Sequence, residues 1–273
     1  SDLYSVVPEL SEIANIDAEI LFSLFSEDIK AKHWAEMAKA VAKHIEKGAA
    51  GVVMAHGTDT LGYTAAALSF ALQDLPVPVI MVASQRSADR PSSDAATNLI
   101  GAVNAAAYAP FAEVAVAIHE TTSDRDIVFH RGTKTRKCHT SRRDTFKSIN
   151  TTPLAKTANR KITMLTKDYR KRDTSRRLSL KPNFDERATL IKFYPGLNPE
   201  IIDWHIEKGC KGIILEGTGL GHIGNYCLSA IKRAVEKGVL IAMTSQCIWG
   251  RLGMTVYDRG RDLLALGVIP LED

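Results

Sequence analysis

Gly51-Val-Val-Met-Ala-His-Gly-Thr-Asp-Thr60 joins a short apolar run to a polar turn. The run contains two valines and is typical of a strand that is buried on both faces of a parallel sheet. The alanine- and leucine-rich sequence at 61–72 follows the turn and predicts a helix. In open α/β sheets, ligands bind in the crevice at the carboxyl ends of the strands. The hydroxyl of Thr58 and the carboxylate of Asp59 are therefore candidate binding groups.

Helix capping is the alternative interpretation of this turn. Threonine and aspartate are ordinary N-cap residues, so Thr58, Asp59 or Thr60 would then do no more than begin the helix. Composition alone leaves both interpretations open.

Strands and helices alternate along most of the chain. The predicted strands are at 51–55, 79–83, 113–118, 188–194, 211–216 and 239–243. The predicted helices are at 29–47, 61–72, 94–107, 199–208 and 225–237, with Asp94 expected to cap the third. This alternation predicts an α/β fold in which a doubly wound parallel sheet is followed by a smaller α/β domain. The predicted divisions are an N-terminal α/β domain at 1–150, a basic interdomain connection at 151–182 and a C-terminal α/β domain at 183–273.

The composition indicates a globular chain of the reducing cytosol. The chain has 273 residues, 45% of them hydrophobic, and a formal net charge of +4, so it can bury a sizeable core. We find no apolar run as long as a membrane span and no signal peptide. The four cysteines are scattered, with no CxxC pair, so neither a zinc site nor a disulfide framework is expected. We therefore predict a cytoplasmic protein with no membrane association and no metal.

The segment 131–177 is strongly basic. It holds sixteen lysines and arginines against three aspartates. Such a run is usually a solvated face or a linker. The alternative is an electrostatic footprint for RNA phosphates or for an acidic partner protein. Base stacking is not indicated, because the segment has little aromatic interleaving: Phe146 and Tyr169 are its only Phe, Tyr or Trp residues.

A glycine-rich loop in the C-terminal domain has the spacing GxGxxG. Its glycines are Gly219, Gly221 and Gly224, between a predicted strand and a predicted helix. A dinucleotide site also needs an acidic residue at the end of the next strand. That strand ends in Met243-Thr-Ser-Gln246, without an acid. We therefore predict a tight loop that approaches a small ligand or a neighbouring subunit, and no NAD site.

Several motifs in this sequence resemble the L-asparaginase family. His56-Gly-Thr-Asp-Thr60 matches the family's second signature. Val7-Pro-Glu-Leu10, Phe146-Lys-Ser-Ile-Asn150 and Glu216-Gly-Thr-Gly-Leu-Gly221 follow the family's order, so the resemblance covers nearly the whole chain. Within the family, two further segments look most like the archaeal members that serve tRNA-dependent amidation. These segments are 137–144 (KCHTSRRD) and 245–251 (SQCIWGR).

The resemblance implies an asparaginase-like fold and a catalytic group. Members of the family hydrolyse the side-chain amide of asparagine through an acyl intermediate on a threonine. Thr58, Asp59 and Lys137 match the family's Thr-Asp-Lys group. Thr58 would position or activate the attacking water or hydroxyl, Lys137 would accept a proton, and Asp59 would hold the lysine and bind the substrate's α-amino group. Without the resemblance, Lys137 would be one cation among many in a basic segment.

The same matching implies a substrate pocket formed by Ser26, Glu27, Gly57 and Ser84. Ser26 and Glu27 would face the carboxylate and amino ends of the substrate. Many free asparaginases have glutamine where this chain has Glu27.

The family's first signature, T-G-G-T-I, is absent from the sequence. The resemblance implies that this signature supplies the primary nucleophilic threonine, and we expect it upstream of Ser1. The family's final helix is expected after Asp273. The 273-residue chain by itself is therefore predicted to release no ammonia from asparagine.

The resemblance implies an amidohydrolase component of a tRNA-dependent amidotransferase. It would release ammonia from asparagine or glutamine for a partner subunit of the E type, which converts Glu-tRNA(Gln) into Gln-tRNA(Gln). No cofactor is expected in this chain, since ATP and Mg²⁺ would belong to the partner, and a homodimer is expected. The alternatives are a free L-asparaginase and, in another class, a non-catalytic asparaginase-like binding module.

Overall fold

The computed structural model describes residues 7–86, 92–123 and 126–273. The chain forms two compact units, Ser1–Phe184 and Asp185–Asp273. Each predicted helix and strand begins and ends within three residues of the observed one. In chain order, the elements of the first unit are the 3₁₀ helices Pro8–Glu12 and Ser26–Asp28, α1 (Ala31–Glu46), β1 (Val52–Ala55), α2 (Leu61–Ala71), β2 (Leu72–Gln73), β3 (Val79–Val82), α3 (Ala95–Tyr108), β4 (Val114–His119), β5 (Asp126–Arg131), the 3₁₀ helix Gly132–Lys134, β6 (Thr135–Lys137), β7 (Phe146–Ser148), β8 (Ala155–Ala158), β9 (Lys161–Met164) and β10 (Ser179–Leu180).

A six-stranded sheet with the order β1-β3-β4-β5-β8-β9 forms the centre of the first unit. β1, β3 and β4 are parallel, whereas β5, β8 and β9 pair antiparallel with their neighbours. Over β1, β3 and β4 the sheet is parallel and doubly wound, as predicted. The antiparallel strands β5, β8 and β9 make the whole sheet mixed. β4 and β5, and likewise β8 and β9, follow each other closely in the sequence, as antiparallel neighbours can. Two small antiparallel pairs, β6–β7 and β2–β10, lie beside this sheet.

Helices cover both faces of the sheet. On one face, α2 packs Leu61 and Leu68 against Met81 and Val116. On the other face, the alanine-rich α3 packs against side chains of β3, β4 and β5, including Phe129. β1 differs from the expectation of a strand buried on both faces, because its residues are partly buried and its last one is exposed. Within the described residues it lies at the edge of the sheet and pairs with β3.

Part of the predicted interdomain connection at 151–182 is instead a β-hairpin. β8 and β9 are joined by Asn159 and Arg160, which both have positive φ values, 49° and 63°. Two-residue hairpin turns favour this backbone because its twist matches that of the strands. Both strands contain a lysine and a threonine, so they lack the apolar run by which the other strands were predicted.

Many basic side chains of the segment 131–177 bind groups of the first unit. Arg172 donates to the carbonyl oxygen of Ala107 at 2.7 Å and to that of Ala50. Arg176 donates to the carbonyl oxygen of Leu75 at 2.7 Å. The ion pairs of the segment include Arg131–Glu113, Lys137–Asp59, Arg142–Asp144, Lys147–Asp144, Arg160–Glu12 and Arg170–Asp74. These contacts favour a structural role for the positive charge over a phosphate-binding footprint.

The second unit contains a four-stranded parallel sheet with the order β11-β12-β13-β14. Its glycine-rich loop follows β12. Gly219 and Gly221 have positive φ values of 53° and 100°, so the turn requires glycine at both positions. The elements of this unit are β11 (Ala188–Lys192), α4 (Glu200–Glu207), β12 (Gly212–Gly217), the 3₁₀ helix Asn225–Cys227, α5 (Leu228–Glu236), β13 (Leu240–Ser245), α6 (Asp258–Ala265) and β14 (Ile269–Pro270).

In the part of the chain that the structure describes, the helices are all too short or too polar to cross a membrane.

A buried histidine on β5 makes the stability of the first unit depend on pH. His130 is 3% exposed, and its Nδ1 lies 2.8 Å from Oγ of Ser148. Burial, with a smaller effect from the charge of Lys147, lowers the pKa of His130 to about 3. The unfolded chain binds this proton near pH 6.5. Between these two pKa values the unfolded state binds more protons, so stability falls as the pH falls below about 6.5.

We expect acidification from pH 6.5 to 4.5 to remove about 2 kcal/mol of unfolding free energy through His130, because the slope increases from about half of 1.4 kcal/mol per pH unit at pH 6.5 to nearly the full value at pH 4.5. Denaturant unfolding at both pH values measures this loss. A His130→Asn variant does not titrate, so its stability should fall by less over the same pH interval, whatever its stability at pH 7. An equal fall in both proteins would contradict the assignment.

Candidate active site

The side chains of Thr58, Asp59 and Lys137 meet at the carboxyl end of β1. Thr58 and Asp59 lie in the turn between β1 and α2, and Lys137 is the last residue of β6. Nζ of Lys137 donates to Oγ1 of Thr58 at 2.8 Å and to Oδ1 of Asp59 at 2.6 Å. The Lys137 side chain is 16% exposed and that of Asp59 is 67% exposed. One amine therefore contacts a hydroxyl and a carboxylate at the edge of the solvent.

This contact gives the three groups distinct chemical properties. The carboxylate of Asp59 fixes the position of Nζ of Lys137 and can stabilise a positive charge on it. A threonine hydroxyl is a weak nucleophile that needs a neighbouring base or a hydrogen-bond relay. Nζ of Lys137 is within the distance required for proton exchange with the Thr58 hydroxyl. The arrangement is thus suited to moving a proton to or from a hydroxyl or a water molecule.

The loop after Lys137 is held by its own charged groups. The Asp144 carboxylate accepts from Arg142 at 2.9 Å and from Lys147 at 3.0 Å. Burial raises the pKa of Asp144, but the hydrogen bonds and charges of Lys147 and Arg142 outweigh it and hold the pKa below its usual value. Nδ1 of His139 accepts from the backbone N–H of Arg142 at 3.1 Å. These bonds order the segment that joins β6 to β7 and thereby support Lys137.

Ser26 and Gly57 lie against each other beside this group. Oγ1 of Thr60 donates to the carbonyl oxygen of Ser26 at 2.6 Å. A Cβ atom at Gly57 would lie 2.9 Å from Cβ and 3.0 Å from Oγ of Ser26. Ser26 is buried, whereas Glu27, which follows it, is exposed. The absence of a side chain at Gly57 is therefore required for the close approach of Ser26.

We expect Gly57→Ala to raise KM for the amide substrate that the family resemblance implies by about tenfold while the fold is retained, because the added methyl group displaces Ser26. Steady-state kinetics of the complete protein, together with its thermal midpoint, measures both effects. Gly212→Ala is a suitable control, since a Cβ there meets its nearest atoms at 4.0 Å. An unchanged KM in Gly57→Ala would show that Ser26 is not part of the substrate pocket.

Ser84 lies at the carboxyl end of β3, one strand away from Thr58. It is partly exposed and lines a cavity of about 860 Å³ together with Thr122, Ser141 and Arg143. The contacts above bring Thr58, Asp59 and Lys137 together and join Ser26 to Gly57. Ser84 and Glu27 make no bond to either group among the described residues, so their place in the pocket remains a prediction.

Asp94 has a different local role from the predicted helix cap. It occupies the N-cap position of α3, but within the described chain its carboxylate makes no capping bond there. It accepts instead from the backbone N–H groups of Gln85 at 3.1 Å and Arg86 at 2.9 Å, and from Nδ2 of Asn98 at 3.0 Å. The fully buried carboxylate therefore shapes the loop that begins with Ser84.

No role was predicted from the sequence for the side chains that connect the HGTDT turn to α1 and α2. His56, Thr64 and Trp34 form a hydrogen-bonded series that ends on the carbonyl oxygen of Gly57. Thr64 lies within an alanine-rich helix, and Trp34 precedes it by 30 positions. No local sequence motif connects Thr64 with Trp34. The available signal is that a threonine hydroxyl and an indole N–H on apolar helix faces require hydrogen-bond partners.

This chain is similar to archaeal amidotransferase subunits. It is 54% identical over 273 residues to the D-type subunit of the glutamyl-tRNA(Gln) amidotransferase of Pyrococcus abyssi. It is 51% identical over 274 residues to the corresponding protein of Metallosphaera sedula. Both alignments cover 100% of this chain and 62% of the relative, so the chain spans about three fifths of the length of these proteins. The resemblance to these archaeal proteins that the segments 137–144 and 245–251 predicted is confirmed.

Solved structures of asparaginases have the same fold. The thermostable L-asparaginase from Thermococcus kodakarensis superposes with a TM-score of 0.84 at 29% identity, covering 97% of this chain and 79% of that one. L-asparaginase I from Vibrio cholerae superposes with a TM-score of 0.78 at 30% identity, covering 92% and 73% of the two chains. These superpositions confirm the predicted asparaginase-like α/β fold.

Two family models together match nearly the whole chain. Residues 1–170 match the N-terminal domain of asparaginase. Residues 187–273 match the glutaminase/asparaginase C-terminal domain. The HGTDT turn and Lys137 both lie within the first match. The chain therefore belongs to the asparaginase family.

Proposed function

We propose that the complete protein is the amidohydrolase subunit of a tRNA-dependent amidotransferase. In this proposal it hydrolyses the side-chain amide of asparagine or glutamine and releases ammonia. A partner subunit then uses the ammonia to convert Glu-tRNA(Gln) into Gln-tRNA(Gln). The observation that carries the proposal is the contact of Nζ of Lys137 with both Thr58 and Asp59. The 54% identity to an archaeal relative of the D type supports the choice of the amidotransferase branch.

Each residue of the contact has a role in amide hydrolysis. Thr58 positions or activates the oxygen that attacks a carbonyl carbon. Lys137 takes up the proton of that oxygen as the new bond forms, and Asp59 stabilises the resulting ammonium. The exposed part of the Asp59 carboxylate is free to bind the positively charged α-amino group of the substrate. The released proton can later be returned to the leaving nitrogen, which departs as ammonia.

Four further residues complete the proposed substrate pocket. Ser26 and Glu27 face the carboxylate and amino ends of the substrate, and Gly57 leaves the space that Ser26 needs. Ser84 approaches from the neighbouring strand. Glutamate in place of glutamine at position 27 adds a negative charge close to the substrate's amino group, which favours a substrate with a free amine.

The remaining components of the reaction belong to the partner. Activation of the Glu-tRNA(Gln) carboxylate requires ATP and Mg²⁺, and we assign both to a partner subunit of the E type. The subunit proposed here needs no cofactor for amide hydrolysis. We further propose that it acts in the cytoplasm as a homodimer.

Ammonia release by the complete protein tests this function. Asparagine and glutamine are supplied as separate substrates, first to the protein alone and then together with the partner and Glu-tRNA(Gln). Release that requires the partner and the charged tRNA supports the amidotransferase function. Strong release by the protein alone indicates a free L-asparaginase. Release under neither condition indicates a non-catalytic binding module, and a Thr58→Val variant serves as the inactive reference.

A further inference from the structure

A series of three hydrogen bonds leads from α1 to the turn that carries Thr58. Nε1 of Trp34 on α1 donates to Oγ1 of Thr64 on α2 at 3.0 Å. The same oxygen lies 2.9 Å from Nε2 of His56. Nδ1 of His56 in turn lies 2.7 Å from the carbonyl oxygen of Gly57. None of these side chains has a part in the chemistry proposed above.

The hydrogen-bonding capacity of each group fixes the direction of the series. A carbonyl oxygen accepts and never donates, so Nδ1 of His56 carries a proton. An indole N–H donates and never accepts, so Oγ1 of Thr64 accepts from Trp34. In a neutral ring with its proton on Nδ1, Nε2 of His56 carries no proton and accepts the Thr64 hydroxyl proton. A neutral His56 is therefore in the Nδ1–H form.

The surroundings of the series keep it in this state. Thr64 is fully buried, and Trp34 packs edge-on against Phe184 with ring centroids 5.5 Å apart. Burial lowers the pKa of His56, and its bond to the Gly57 carbonyl opposes that shift in part. The bonds of Thr64 to Trp34 and His56 are partly buried, whereas the bond of His56 to Gly57 is exposed. A polar series in which every member has a partner favours a single geometry.

We propose that His56 is a positioning residue that transmits the fixed position of Trp34 and Thr64 to the peptide between Gly57 and Thr58. Because the peptide bond is planar, an anchored Gly57 carbonyl sets the plane from which the Thr58 backbone continues. The series thereby holds the Thr58 hydroxyl within 2.8 Å of Nζ of Lys137. This inference rests on the proposed function, since Thr58 and Lys137 are the groups that His56 serves.

Two amide variants of the complete protein separate the two bonds of His56. In His56→Asn the side-chain amide nitrogen takes the place of Nδ1 and retains the bond to Gly57. In His56→Gln the amide reaches the place of Nε2 and retains the bond to Thr64, while the bond to Gly57 is lost. We expect kcat for ammonia release to fall about tenfold in His56→Gln and less than about threefold in His56→Asn, with KM unchanged in both. Equal kcat values in the two variants, at equal thermal midpoints, would overturn the proposal.

Two nuclear magnetic resonance measurements test the series without reference to activity. The ring nitrogen spectrum of His56 should show the neutral Nδ1–H form, and an Nε2–H form would overturn the inference. The methyl resonance of Thr58 should shift in His56→Gln and stay in place in His56→Asn. A resonance that responds equally in both variants would also overturn it. If the wild-type protein releases no ammonia with its partner and Glu-tRNA(Gln), the proposed function fails, and these spectra still decide the role of His56.

Discussion

Replacement of Lys137 by methionine in the complete protein is expected to lower kcat for ammonia release by about a thousandfold. Methionine has a similar length, but it removes the amine that contacts both Thr58 and Asp59. The Thr58 hydroxyl then loses the amine with which it can exchange a proton. Because Asp59 is largely exposed, water can solvate its carboxylate, so the thermal midpoint should change little. Steady-state kinetics and thermal unfolding of the same preparation measure both quantities.

Two further variants show which property of Lys137 matters. Lys137→Arg keeps a positive charge, but a guanidinium does not give up its proton at any accessible pH. A rate as low as that of Lys137→Met would show that proton transfer is required, and a restored rate would show that charge is sufficient. Arg136→Met removes a cation from the adjacent, exposed position of β6, which faces the opposite side. A comparable loss of activity in Arg136→Met would contradict a specific role for Lys137.

The local part of the site could be predicted from the sequence, and the distant part could not. Thr58 and Asp59 follow a strand and precede a helix, so strand and helix periodicity place them at the carboxyl edge of a sheet. Lys137 contacts Thr58 across 79 positions of sequence. No periodicity extends over that separation, and a lysine in a basic segment has no local signal of its own. Its assignment came from the resemblance to a family, and the structure supplies the contact.

The antiparallel half of the first sheet was missed for a related physical reason. Strands under helices carry continuous apolar runs, such as β4, which is buried along its whole length. β8 and β9 alternate buried and more exposed residues and include lysines. Their turn has Asn159 followed by arginine, without the glycine that usually marks a hairpin of this kind. The lysines of this segment were therefore interpreted as the sign of a linker. In the structure they lie on the outer face of a sheet.

Asp94 shows that a correct position does not by itself identify a role. The sequence placed it at the start of α3, where it lies. Its carboxylate nevertheless binds the backbone of Gln85 and Arg86, because these two residues lie beside the beginning of the helix. Capping preferences describe one helix by itself, whereas a buried carboxylate binds the nearest unpaired N–H groups of any element.

Gly51→Ala is expected to destabilise the first unit by about 3 kcal/mol. Gly51 immediately precedes β1 and lies against the last turn of α3. A Cβ at this position would overlap the carbonyl oxygen of Ala106 and come within 2.6 Å of the Ala106 carbonyl carbon. Backbone atoms cannot rotate away as the end of a side chain can, so either β1 or α3 must move. For a unit of this size, the loss corresponds to a decrease of roughly 6–12 °C in thermal midpoint.

The same substitution links the fold to the site. β1 leads directly into His56, Thr58 and Asp59, so a displaced strand carries the HGTDT turn away from Lys137. We therefore expect kcat of Gly51→Ala to fall at temperatures well below its thermal midpoint, where the protein is still folded. Gly212→Ala supplies the matched comparison, since its Cβ meets no atom closer than 4.0 Å and both its midpoint and kcat should stay near the wild-type values. A thermal midpoint of Gly51→Ala equal to that of Gly212→Ala would show that α3 yields at Ala106 without cost, and that the packing of β1 on α3 does not set the position of the site.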